Sequence, residues 1–152
     1  MSQLSIKKGF TLLEVLLVIA IIGILAAIVI VALNPNKQLG DTRNAQRKSD
    51  VNTILNAVYQ YDIDNSAMPS TTPTTTVKAI CRNGGACTDI ATSTVYVDLY
   101  NALVPKYVVG IPADPQATSS TSTNYTIFMD ANSRVTVSAP GAENGMTISV
   151  SR

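Results

Sequence analysis

Glu14 is the residue whose position demands a chemical reason. It is the only charged side chain from Gly9 to Leu33, in a stretch that reads Phe10-Thr11-Leu12-Leu13-Glu14-Val15 and then stays apolar. A carboxylate at the centre of a membrane helix costs on the order of 3 kcal/mol, and less near the end where Glu14 lies. Two uses fit: the side chain snorkels to the headgroups, or it is held for a partner charge. Directly before it stand the basic pair Lys7-Lys8 and Gly9. Elsewhere reactive groups are sparse. The chain has no histidine, so a Ser-His arrangement is impossible despite the many Ser and Thr residues. No phosphate loop or paired acids emerge, and neither an enzyme nor a cofactor is expected. Cys81 and Cys87 flank a short segment containing Gly84-Gly85. If the domain lies beyond a membrane, a disulfide is the natural reading, worth about 2 kcal/mol. Free thiols are the alternative, and a metal site would need more ligands. No metal is expected.

These groups must be positioned by the apolar run. At ~1.5 Å per residue, Val15 to Leu33 makes roughly 28 Å of helix, close to the hydrocarbon thickness of a bilayer. Such a run spans a membrane or stores itself inside an assembly. Residues 1–9 are polar and end in basic side chains suited to the cytoplasmic face. A plain cleaved signal peptide fits poorly. The apolar core is too long, it carries Glu14, and Ala26, Ala27 and Ala32 lie inside an unbroken apolar run. Lys37, Arg43, Arg47 and Lys48 follow on the other side, so counting charges does not fix the orientation.

The chain is 46% hydrophobic and 14% charged, but the apolar residues concentrate in the first forty positions, leaving one soluble head of about ninety residues. Net charge is +1 and aromatics are 5%, with no basic patch interleaved with them, so nucleic-acid binding is not indicated. After Asn34-Pro35, the spacing of Val51, Ile54, Leu55, Val58 and Tyr61, with Leu39 upstream, predicts an amphipathic helix ending by about Asp64. Arg43, Arg47, Lys48 and Asp50 are expected to stay wet. Gly23, Pro35 and Gly40 are weak helix positions where the rod is expected to bend or unwind.

Residues 65–76 are rich in turn formers, and a loop holding the cysteines follows. Val95 to Val104 reads as a strand running into a short helix at Asp98 to Val104, stopped by Pro105. Ile111 to Pro115 is a stiff connector, and Thr118 to Thr123 a second Ser/Thr loop. Tyr125 to Met129, Arg134 to Ser138 and Met146 to Val150 alternate as three strands of a meander. Their inward sets, Ile127 and Met129, Val135 and Val137, and Ile148 and Val150, would cover the amphipathic helix, giving an α+β fold. Asp62 to Ser66 opens like a calcium loop, but it lacks the glycine after Ser66 and has Pro73 at the twelfth position. It reads as a helix end and turn. Asn124-Tyr125-Thr126 matches a glycosylation sequon by spacing and reads as strand.

Lys7-Lys8-Gly9-Phe10-Thr11-Leu12-Leu13-Glu14-Val15 resembles the prepilin motif of the type IV pilin superfamily, which includes type IV pilins and the pseudopilins of type II secretion. The resemblance covers about the first thirty-five residues strongly and the remainder in architecture only. It implies cleavage between Gly9 and Phe10 by a prepilin peptidase on the cytoplasmic side, then N-methylation of Phe10. Residues 1–9 become a leader, 10–34 a transmembrane and filament-core helix, 35–64 its amphipathic half and 65–152 the head. The new Phe10 amine of one subunit would meet Glu14 of another as copies of the chain polymerise, with an assembly ATPase and an inner-membrane platform protein as further partners. Some pseudopilins bind calcium in sheet-side loops; Asp114 lies in a comparable region, but one aspartate is not a site. The expected product is a single-pass precursor in the cytoplasmic membrane with its head outside, then an extracellular or periplasmic filament. The disulfide, the Thr-rich loops and the head size lean toward a surface type IV pilus over a type II secretion pseudopilus. A monomeric signal-anchored surface binding protein is the rival from another class.

Overall fold

The computed structural model describes residues 9–84 and 96–152, and the chain divides into two compact units, Met1–Gln38 and Leu39–Arg152. In the first, helix α1 spans Leu12–Leu33 and buries none of its residues. It runs through Gly23 without interruption. A glycine in a helix costs only about 1 kcal/mol relative to alanine, too little to break a helix this apolar. The interruption falls instead at Asn34, which adopts the left-handed conformation (φ 42°, ψ 77°) and ends α1. Pro35 then opens helix α2, Pro35–Asn65, at the first helical position, where its fixed φ suits the helix and its missing N–H costs nothing. Asn34 Oδ1 accepts from Lys37 N at 3.4 Å, and Gln38 Nε2 donates to Leu33 O at 3.1 Å. One residue thus closes the first helix and caps the second. Gly40, the other weak position, also lies inside unbroken helix.

In the second unit, α2 buries Gly40, Asn44, Arg47, Val51, Ile54 and Val58 at three-and-four spacing, with Asp50, Leu55 and Ala57 beside them. Five strands complete the head: β1 Lys78–Cys81, β2 Tyr96–Val97, β3 Ser122–Met129, β4 Val135–Ala139 and β5 Ile148–Ser151, ordered β2-β1-β3-β4-β5, with the short helix α3, Tyr100–Leu103, following β2. The β3-β4-β5 meander is antiparallel, pairing Ile127 with Val137 and Val137 with Val150. Alternation delivers Tyr125, Ile127, Val135, Val137, Ala139 and Ile148 to the same core as Val51, Ile54, Leu55 and Val58, while Met129 and Val150 are partly buried. Each fully buried aliphatic side chain stabilises the fold by about 1.5–3 kcal/mol.

Two features depart from expectation. The segment read as the start of a cysteine loop contains β1, and β1 pairs parallel with β2, so the sheet is not wholly antiparallel. With four residues, Lys78-Ala79-Ile80-Cys81 is too short to show a period. β1 is fixed by long-range pairing with β3 and by the buried Thr123 hydroxyl, which donates to Ile80 O at 2.9 Å. Leu39, counted with the apolar face, is exposed.

Candidate functional site

The first site is the segment around Phe10. Thr11 is extended (φ −83°, ψ 150°) and caps α1, its Oγ1 accepting from Glu14 N at 3.2 Å. This satisfies one of the free N–H groups of the first turn and starts the helix at Leu12. Gly9 and Phe10 therefore lie outside the helix, both exposed. A Cβ built on Gly9 would meet nothing within 4 Å, and Gly9 does not have a positive φ. Nothing in the fold of this segment requires glycine there, so any requirement comes from what binds the chain. Gly23 is equally open. The Glu14 carboxylate, in the first turn, has no hydrogen-bond or ion-pair partner among the described residues. Behind it, Leu16, Leu17, Ile19, Ile22, Ile24 and Leu25 are each more than half exposed. An apolar helix of 22 residues, about 33 Å long, needs lipid or other protein around it.

Of the remaining sequence candidates, Cys81 is fully buried in β1 and disulfide-bonded, and no described cysteine is free; Cys87, Lys7 and Lys8 lie outside the described residues. Asp62 and Asp64 sit in the last turn of α2, with Ser66 left-handed beyond it (φ 52°). Asp64 Oδ2 accepts from Lys106 Nζ at 2.8 Å and from the Tyr107 hydroxyl at 3.1 Å, bonds that lower its pKa. Among the described residues no three His, Cys, Asp or Glu side chains gather as metal ligands.

The second site, in the head, overturns one expectation. Arg47 and Asp50 are not wet: they are 0% and 5% exposed. Arg47 Nε donates to Asp114 Oδ2 at 2.6 Å and Nη2 to Asp114 Oδ1 at 3.1 Å, a two-pronged pair, while Nη2 also reaches Gln116 Oε1 at 2.8 Å. Nη1 donates to Asn44 Oδ1 and Glu143 Oε2, both at 3.0 Å. All five guanidinium N–H groups thus have acceptors, the condition under which a buried arginine is tolerable. Arg43 grips Glu143 with two further bonds, 2.6 and 2.8 Å. The Asn44 amide pairs with the Glu143 backbone in both directions at 2.9 Å.

The charges are held accordingly. The bonds from Arg43 and then Arg47 pull the Glu143 carboxyl down from its ordinary 4.5 to about 2. The bond to Asp114 raises Arg47 against the opposing cost of burial. Burial, then the 2.7 Å bond to Asp50, raises the Tyr125 phenol. Close approach matters too. A Cβ on Gly141 would lie 3.0 Å from Asp114 Oδ2, and one on Gly40 only 2.7 Å from Asn144 Nδ2. This clasp fastens the 111–123 and 139–146 loops onto α2. A signal for it was present in the sequence, since Arg47 falls on the same three-and-four stripe as Val51, Ile54 and Val58, but its charge argued for the surface.

Residues 4–30 match a family model described as the prokaryotic N-terminal methylation motif. The type II secretion system core protein G of Pectobacterium carotovorum subsp. carotovorum is 33% identical over 112 residues, covering 74% of this chain and 64% of that protein. Its counterpart from Aeromonas hydrophila is 45% identical over 65 residues, 43% of this chain and 44% of the relative. That from Escherichia coli (strain K12) is 43% identical over 65 residues, 43% of each. The chain therefore spans less than two thirds of the length of these relatives. No solved structure matches it significantly. The match over residues 4–30 falls on the segment whose glycine its own fold does not need, and the Pectobacterium similarity extends well into an α+β head. These likenesses support the resemblance to the type IV pilin superfamily that the N-terminal motif carries.

Proposed function

We propose that this chain is made as a membrane-bound precursor, cut between Gly9 and Phe10, N-methylated at Phe10 and polymerised through α1 into a pseudopilus of the type II secretion kind. The observation that carries the filament reading is α1 itself, a 22-residue apolar helix whose first-turn carboxylate has no partner among the described residues. In the proposed fibre, α1 exchanges lipid for copies of itself. Glu14 receives the Phe10 amine of a neighbour, and that pair sets the subunit register because breaking it strands a buried charge. The lean toward a surface type IV pilus is withdrawn. The similar proteins are type II secretion core proteins, one of them alike over 112 residues, whereas loop composition and head size do not discriminate. Exported protein is then the cargo class. The peptidase, the assembly ATPase and the platform protein are the implied partners, with the head beyond the cytoplasmic membrane and Cys81 bonded to Cys87.

Intact-mass measurement of the chain from membranes and from a sheared surface fraction tests this. Loss of residues 1–9 plus one methyl supports processing, and a mass retaining the leader supports a monomeric anchor instead. Short membrane-associated fibres support the pseudopilus, and long sheared filaments support the surface pilus.

A further inference from the structure

The head contains two Asn-Gly steps, Asn83-Gly84 and Asn144-Gly145. A glycine after asparagine leaves the next backbone nitrogen without a side chain to shield it, so the carboxamide can react with the chain that follows. Both asparagines are exposed, but the fold holds them differently.

Asn144-Gly145 is locked. φ is 56° at Asn144 and 72° at Gly145, and Met146 N donates to Glu143 O at 3.1 Å, which makes the pair the centre of a type I′ turn. Asn144 Nδ2 donates to Asp41 Oδ1 at 2.8 Å and packs where a Cβ on Gly40 would come within 2.7 Å of it. Closing a ring onto Gly145 N therefore requires the turn to open and the bond to Asp41 to break.

Asn83-Gly84 is open. The backbone is fixed up to Arg82, whose N–H donates to Thr121 O at 2.9 Å. Asn83 follows in a bend outside any helix or strand, its φ is not positive, and its carboxamide has no hydrogen-bond partner among the described residues. Gly84 is half-buried against α3: a Cβ there would lie 3.1 Å from Asn101 Oδ1 and 3.2 Å from Tyr100 Cδ1. That close approach favours glycine at position 84, and the same missing Cβ leaves its nitrogen open to attack Asn83.

We propose that Asn83 is a site of spontaneous deamidation, a covalent change built into the end of β1. Gly84 N gives up its proton to solvent, and its electron pair forms a bond to Asn83 Cγ. The Cγ–Nδ2 bond breaks, and the amide nitrogen leaves with that electron pair and takes up a proton from solvent as ammonia. Water, the co-reactant, then opens the succinimide. Addition at Cγ breaks the new bond to Gly84 N and leaves aspartate, whereas addition at the Asn83 carbonyl carbon breaks the original peptide bond and leaves isoaspartate, with the chain running through Cγ. Either product adds a negative charge beside Arg82. Isoaspartate also inserts a further carbon into the main chain directly before Gly84, whose fit against Asn101 is already tight, so the 82–84 segment lifts from α3. The fraction converted grows with the age of the folded chain, which makes the step a clock read at the head surface.

The test is mass mapping of the full chain, incubated folded in detergent and sampled over time, with reduction and pepsin digestion at acid pH to stop the reaction on sampling. Expected is a time-dependent gain of one mass unit on the peptide holding Asn83-Gly84, resolved by fragmentation into aspartate and isoaspartate. The rate should rise with pH, because the attacking nitrogen must lose a proton. The peptide holding Asn144-Gly145 should convert at least roughly tenfold more slowly, since it reacts only through local opening of a bonded turn. In urea both steps should convert at similar rates. Asn83→Gln should abolish the gain at that step while leaving the tyrosine near-UV spectrum of the head unchanged, and Asp41→Ala, which frees Asn144 Nδ2, should speed conversion at Asn144 in the folded chain. Asn83 that stays unconverted in the folded chain overturns the proposal, whatever happens in urea. Equal rates at the two steps in the folded chain overturn the structural contrast that supports it.

Discussion

Replacing Arg47 with methionine separates a buried clasp from a solvated arginine more sharply than any other change in the head. The side chain is 0% exposed and its partner Asp114 has a side chain 2% exposed, so Arg47→Met strands a carboxylate with no solvent to receive it. The substitution deletes the two bonds to Asp114 and those to Asn44, Gln116 and Glu143, while methionine keeps most of the aliphatic stem. Breaking one partner of a buried pair costs about 3–5 kcal/mol, a large share of the roughly 5–15 kcal/mol that holds a domain folded. For a unit of this size the melting midpoint should fall on the order of 15 °C. All six tyrosines lie between Tyr59 and Tyr125, so tyrosine near-UV dichroism of the full chain in detergent follows the head without interference from α1. Adding Asp114→Ala should recover more than half of the loss, because the stranded charge is what costs most. A loss below about 1 kcal/mol for Arg47→Met, or no recovery in the double variant, would refute the reasoning and return Arg47 to the solvated surface.

Three further outcomes are expected. Because the folded Glu143 carboxyl sits at about 2, below its ordinary 4.5, its stabilisation is complete above pH 4.5 and is lost as pH falls toward 2. The stability difference between wild type and Glu143→Gln, from urea titrations at a series of pH values, should shrink across that window and stay flat above it. Gly40→Ala would ordinarily gain about 1 kcal/mol of helix propensity, but its Cβ would lie 2.7 Å from Asn144 Nδ2, which must move and loosen its 2.8 Å bond to Asp41. A net loss of about 1 kcal/mol is expected; a gain in melting temperature would contradict it. Glu14→Ala should leave processing at Gly9 intact yet cut fibre yield roughly tenfold or more, equivalent to at least about 1.4 kcal/mol per interface, as measured by sedimentation of sheared material. Normal fibre abundance in that variant would count against the amine pairing.

What was legible in the sequence followed periodicity and local chemistry. The apolar run, the amphipathic half of α2 and the β3-β4-β5 meander each repeat a pattern long enough to read, and the N-terminal segment carries a dense motif. What escaped was decided by partners distant in the chain. Arg47 meets Asp114 across 67 positions, so its charge pointed outward while its place on the helical stripe pointed inward. β1 has four residues and exists because β3 pairs with it. The helix break was read from residue types that disfavour helix, but a proline at the first helical position is compatible with one. The conformational change therefore falls on Asn34, a residue that tolerates positive φ.

The most direct test of the central claim is a helical reconstruction of isolated fibres at a resolution that shows side chains. The prediction is a subunit beginning at Phe10, with α1 in the fibre core and the Phe10 amine within about 4 Å of the Glu14 carboxylate of an adjacent copy. Fibres whose subunits keep residues 1–9, or whose Glu14 faces solvent with no cationic neighbour, would contradict it.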